Sequence, residues 1–111
     1  MDIENIKKAC TETLVIKLLT KGPMHGYEMA KEVERRSSGY FVFKHGTLYP
    51  ILHRLEKEGL IMGKWSAGEP AERPRKYYQL TKAGRRSHKA NAAAWREFFG
   101  VMAFLVPEVA A

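Results

Sequence analysis

The sequence predicts a mainly α-helical domain with a small β-hairpin, and three observations carry that expectation. Apolar residues recur at helical spacing in four segments, two short β-prone runs flank a stretch holding glycine and prolines, and Gly, Pro or Ser clusters mark the joins. At 111 residues the chain has room for one core. Its 45% hydrophobic and 28% charged residues are the balance of a globular chain.

In the first helix Ala9, Leu14, Val15, Leu18 and Leu19 form one stripe, which stops at Lys21-Gly22-Pro23. A second helical segment holds Tyr27, Ala30, Lys31, Val33 and Glu34 and ends at Ser37-Ser38-Gly39. Tyr40-Phe41-Val42-Phe43 is aromatic and β-branched but short, so it reads as a brief strand or a buried connector. Leu48, Ile51, Leu52 and Leu55 form the core stripe of a third helix that stops at Gly59. Its opposite face carries Gly46, Pro50, His53, Arg54 and Lys57, with Thr47 and Tyr49 at the borders. If Thr47 caps this helix, Pro50 falls in the first turn, where N–H groups lack intrahelical partners anyway. Leu60-Ile61-Met62 and Lys76 to Leu80 begin two strands around a long tip, Ser66 to Pro74. Thr81 then caps a last helix with apolar positions Ala92, Trp95, Phe98, Phe99, Met102 and Leu105, closed by Pro107. Three helices, a hairpin and a trailing helix describe a winged helix-turn-helix.

The charge is uneven. Of a net +7, residues 44–86 hold ten Lys/Arg against Glu56, Glu58, Glu69 and Glu72, while the flanking segments are close to neutral. Such a confined basic excess is the footprint of a polyanionic partner, DNA or RNA, unless it is solvated surface. In a winged helix-turn-helix the third helix enters the major groove. Thr47, Tyr49 and His53 then offer hydrogen bonds to bases or phosphates, and Arg54 and Lys57 offer phosphate neutralisation. Arg73, Arg75 and Lys76 would bring the wing to the flanking backbone and add a salt-dependent term.

Other classes find less support. His25, His45, His53 and His88 lack metal-ligand spacing, and Cys10 has no partner for a disulfide or a CxxC half-site, so neither metal nor cofactor is expected. No nucleophile motif, carboxylate pair or phosphate-cradling loop suggests an enzyme. The longest apolar run, Phe98 to Val106, is far short of the roughly twenty residues that span a bilayer, and the start lacks a signal peptide's layout; a cytoplasmic location without membrane contact is expected.

His25-Gly26-Tyr27-Glu28, Gly46-Thr47-Leu48-Tyr49-Pro50, Leu52-His53-Arg54-Leu55-Glu56 and Lys76-Tyr77-Tyr78 before Leu80-Thr81 resemble, in order and spacing, the PadR family of transcriptional regulators. The resemblance covers about residues 10–84 and implies a homodimeric regulator of double-stranded DNA with a palindromic operator, usually a repressor, of the short-tailed type. It places Tyr27 near the DNA backbone and Thr47, Tyr49 and Pro50 at the start of the recognition helix. Lys44-His45 stands where the family often has Ser-Pro, so a different helix cap is expected.

By the same resemblance residues 1–80 form the DNA-binding domain, residues 81–106 the C-terminal dimerisation helix and residues 107–111 a tail. Trp95, Phe98, Phe99, Met102 and Leu105 would pair the subunits. Some family members hold planar aromatic ligands at a tryptophan matching Trp95, which makes Trp95, Phe98 and Phe99 candidate walls of an effector site; the alternative is that Trp95 is a dimer-core aromatic. Tyr27 and Tyr49 have the competing reading of core-edge aromatics, and Arg54 and Lys57 that of a solvated helix face. A module that binds RNA or a protein partner without operator specificity is the other function in view.

Overall fold

The computed structural model describes residues 2–66 and 75–110. Helix α1 (Ile3–Leu19) is followed by a two-residue strand β1 (Met24–His25), α2 (Gly26–Arg36), α3 (His45–Lys57), strands β2 (Ile61–Trp65) and β3 (Lys76–Leu80), and the long α4 (Lys82–Leu105), which gives way to a 3-10 turn at Pro107–Val109. The strands form one antiparallel sheet in the order β1-β3-β2. The hairpin is therefore widened to three strands by Met24 and His25, which pair with Tyr78 and Tyr77. A two-residue strand has no alternation to betray it in sequence.

The core lies where the first three helices meet one face of the sheet. Val15, Leu18 and Leu19 of α1, Met29 and Val33 of α2, and Leu48, Leu52 and Leu55 of α3 pack with Ile61, Tyr78 and Leu80. Of the expected α1 stripe, Ala9 is exposed, and Thr11 and Ile16 are buried in addition. Tyr40–Phe43 is a connector without strand pairing, with Phe41 and Phe43 laid against the core and Tyr40 and Val42 facing out.

The start of α3 differs from the expectation. Lys44 occupies the N-cap position without a side-chain cap bond, and the helix begins at His45, not Thr47. The Thr47 N–H donates to the Lys44 carbonyl at 3.0 Å, so Thr47 already lies inside the first turn. Pro50 thus sits beyond that turn, where it leaves the Gly46 carbonyl without its helical donor. At the other end the Leu60 N–H returns to the Leu55 carbonyl at 3.0 Å, so the helix closes just before Gly59 as expected.

Helix α4 is anchored at its first turn. The Thr81 hydroxyl accepts from the Gly84 N–H at 3.0 Å and donates to the Gly59 carbonyl at 2.7 Å. A Cβ at Gly84 would overlap the Leu60 carbonyl oxygen, so a side-chain-free residue is what lets the helix seat this closely. Further along, the Asn91 amide and the Trp95 indole N–H both donate to the Thr13 hydroxyl, at 2.8 and 3.2 Å, tying α4 to α1. Arg96 and Phe99 still border a groove with Cys10, Leu14 and Phe41, whereas Phe104 and Leu105 near the helix end are exposed; the molecule measures 57 × 29 × 21 Å. No helix among the described residues is long and apolar enough to cross a membrane.

Candidate nucleic-acid interface

Helix α3 presents three sides besides its buried one. At about 100° per residue, Gly46, Pro50, His53 and Lys57 share the outer side, and all four are exposed. Tyr49 and Glu56 turn toward α2 and the wing. Thr47, Arg54 and Glu58 turn toward α1. The candidate residues on this helix are therefore divided among three directions rather than gathered on one face.

On the α1 side, the Arg54 guanidinium contacts the Glu12 carboxylate at 2.6 Å and that of Glu58 at 3.5 Å. These partners, Glu12 first, raise its pKa above the ordinary arginine value. Thr47 is half-buried in a groove with Lys7, Lys8 and Lys44. On the wing side, Glu56 accepts from the Lys76 ammonium at 2.9 Å and from the Gly63 N–H at 3.1 Å. Lys76 holds the Glu56 carboxyl below the ordinary glutamate range and is itself raised. Arg54 and Lys76 thus each have an anionic partner within the fold, one bracing α3 against α1 and the other bracing it against the wing.

Tyr27 and Tyr49 separate. The Tyr27 ring is 62% exposed and lies under the Lys31 ammonium, 4.8 Å from its centroid, which removes the core-edge reading for it. Tyr49 is half-packed: its ring lies 4.4 Å from that of His45, and its hydroxyl occupies the space a side chain on Gly26 would need. His25 caps α2 through a reciprocal pair with Glu28 and comes within 3.3 Å of the exposed Arg75 guanidinium. Arg73 lies outside the described residues.

Tyr27, Tyr49 and Arg75 meet around a basin of about 780 Å³ between α2, α3 and the wing. Four residues of this basin are not among the candidate site residues read from sequence: His25, Tyr78, Gly26, whose role depends on a contact from another helix, and Trp65, 69% exposed on its rim. A period-2 reading of β2 from Ile61 through Gly63 to Trp65 carries a signal for Trp65.

Away from this surface, α4 bears the other candidate set. Phe98, Phe99, Phe104 and Leu105 are exposed, while Trp95 and Met102 are half-buried. Trp95 stacks on Phe99 at 5.3 Å and 21°, beside an apolar groove of about 410 Å³ that also takes in Cys10, Leu14 and Phe41.

The profile of the transcriptional regulator PadR-like family matches residues 15–90. The chain is 32% identical over 83 residues to transcriptional regulator Rv3488 of Mycobacterium tuberculosis, covering 75% of this chain and 73% of that one. It superposes on a transcriptional regulator from Clostridium thermocellum with a TM-score of 0.82 and 29% identity, over 92% of this chain and 95% of that one. Bacillus subtilis PadR in complex with operator DNA matches with a TM-score of 0.64 and 25% identity, over 71% of this chain and 44% of the other.

Proposed function

The chain belongs to the PadR-like family of transcriptional regulators, and on that premise we propose that it binds double-stranded DNA sequence-specifically as a homodimer and represses transcription by occupying a palindromic operator. The observation that carries this reading is the outer side of α3: Gly46, Pro50, His53 and Lys57 are all exposed, flanked by exposed Tyr27 and Arg75. Small residues at its start let a helix approach base edges closely, and His53 and Lys57 supply donors one and two turns further on. The likeness to Bacillus subtilis PadR, solved in complex with operator DNA, supports the DNA-binding part of this reading.

In this mechanism α4 sets the spacing. Pairing through Trp95, Phe98, Phe99, Met102 and Leu105 fixes the distance between two recognition helices, matched to half-sites about 34–36 Å apart. The exposed phenylalanines support pairing, because apolar area left in water on a projecting helix gains stability when a second copy covers it. Phe99→Asp tests it: sedimentation is expected to give a folded monomer, with duplex binding weakened in parallel. A Phe99→Asp protein that remains fully dimeric would contradict the arm.

The stacked pair of Trp95 and Phe99 over its apolar groove favours a planar aromatic effector at Trp95, Phe98 and Phe99. Such a ligand would act by altering the α4 pairing, and a coupling of about 1–3 kcal/mol already shifts operator affinity about 5- to 150-fold. With Trp65 replaced by Phe, planar cations are expected to quench Trp95 fluorescence; no quenching beyond the inner-filter effect would remove the effector site.

A further inference from the structure

We propose that the basin between α3 and the wing seats one sugar–phosphate strand of duplex DNA, with the Trp65 indole packed against a deoxyribose face. The proposal rests on the DNA-binding reading above and adds to it a contact residue and the part of the duplex it touches.

The register of β2 and β3 sets Ile61 opposite Leu80, Gly63 opposite Tyr78 and Trp65 opposite Lys76. Directly opposed and alternate residues share a sheet face, so Trp65 continues the row that contains Ile61, Tyr78 and Leu80. Those three are buried at 2%, 6% and 9% exposure, whereas Trp65 is 69% exposed. Its indole is a large apolar surface at the end of a core-facing row, past the point where the described helices cover the sheet.

The surroundings specify what would cover it. The basin's walls include Gly26, Tyr27, Tyr49, Trp65, Arg75 and Tyr78. Exposed Arg75 and the Lys31 ammonium over Tyr27 are positive, and the Tyr27 hydroxyl can donate. Among the described residues the carboxylates nearest the basin are engaged: Glu56 by Lys76 and Gly63, Glu28 by His25. A cationic rim beside a flat apolar plate matches a strand in which anionic phosphates alternate with apolar sugar faces. The position fits as well. When α3 lies in the major groove and the β2–β3 ribbon reaches the adjacent minor groove, the backbone strand that divides the two grooves must cross the space between them, and that space is the basin.

Affinities and salt slopes are measured on the full chain with Trp95 intact, and Trp95→Phe, which leaves Trp65 as the single tryptophan, serves the emission reading at duplex concentrations where its own binding is measured directly. Both are titrated with mixed-sequence duplex and with operator duplex once selected. Trp65 emission is expected to change and saturate with duplex binding. Trp65→Ala is expected to weaken binding about tenfold, the scale of lost apolar and aromatic contact, while leaving the slope of log affinity against log salt unchanged. Arg75→Ala is expected to reduce that slope by about one phosphate. Because Trp65 is mostly exposed, Trp65→Ala should melt like the parent. Unchanged emission together with parental affinity in Trp65→Ala overturns the proposal while leaving DNA binding in place. A changed salt slope in Trp65→Ala also overturns it, since the residue would then act through a phosphate contact. Failure of the parent chain to bind any duplex overturns the DNA reading and this contact with it, as does emission that responds only to peptide or single-stranded RNA.

Discussion

Gly26 shows how a single missing side chain positions the interface. It opens α2, where alanine would ordinarily be favoured over glycine by up to about 1 kcal/mol. Here a Cβ would stand 2.7 Å from the Tyr49 hydroxyl oxygen and 3.0 Å from Cζ, so the sterics oppose the propensity. To admit a Cβ the Tyr49 ring must shift from its place 4.4 Å from the ring of His45 on its own helix. Gly26→Ala is accordingly expected to cost about 1–3 kcal/mol, measured by denaturant unfolding, and to weaken duplex binding by displacing Tyr49. The cost should vanish in a Tyr49→Ala background. Additive losses in the double variant would show that the two residues do not meet in this way.

At the scale of elements, helix α3 is held from both sides by ion pairs that join distant parts of the chain. Glu56 links α3 to Lys76 of β3, and Arg54 links it to Glu12 of α1. The Glu56 pair has a pH signature. Lys76 keeps the folded carboxyl below its ordinary value of 4.5, so on acidification the unfolded chain takes up this proton first. The contribution is complete above about pH 4.5 and is lost as pH falls through the lower folded value. Glu56→Gln should therefore flatten that part of the stability curve, seen as a parent-minus-variant difference that shrinks as the pH falls below 4.5. A difference that stays constant through this range would contradict the pairing.

These pairs also mark how much of the site was legible in the sequence. The core stripe of α3, its stop before Gly59 and the Thr81 cap follow from local spacing, and the structure contains them. The first turn of α3 was obscured because Thr47 and Pro50 both imitate a helix start, whereas the helix begins at His45 without a side-chain cap to mark it. The partners of Arg54 and Lys76 lie 42 and 20 residues away, out of reach of any periodicity argument. Exposure distinguishes Tyr27, which faces outward, from Tyr49, which packs on a glycine of another helix.

At the scale of the whole molecule, the core and the projecting α4 divide the work. Helices α1 to α3 and the sheet form one packed unit that presents the outer side of α3, while the far half of α4 carries exposed Phe98, Phe99, Phe104 and Leu105. The two regions are joined where Asn91 and Trp95 bond to Thr13, one residue from the Glu12 that holds Arg54. Helices α4 and α3 therefore share α1 as a common support. The measurement that tests the account most directly is selection from a pool of random duplex DNA, sequenced at two salt concentrations. The account predicts recovery of an inverted repeat whose half-sites lie about one helical turn apart, with affinity that falls as salt rises. Weak, unselective binding with no recovered repeat would contradict it.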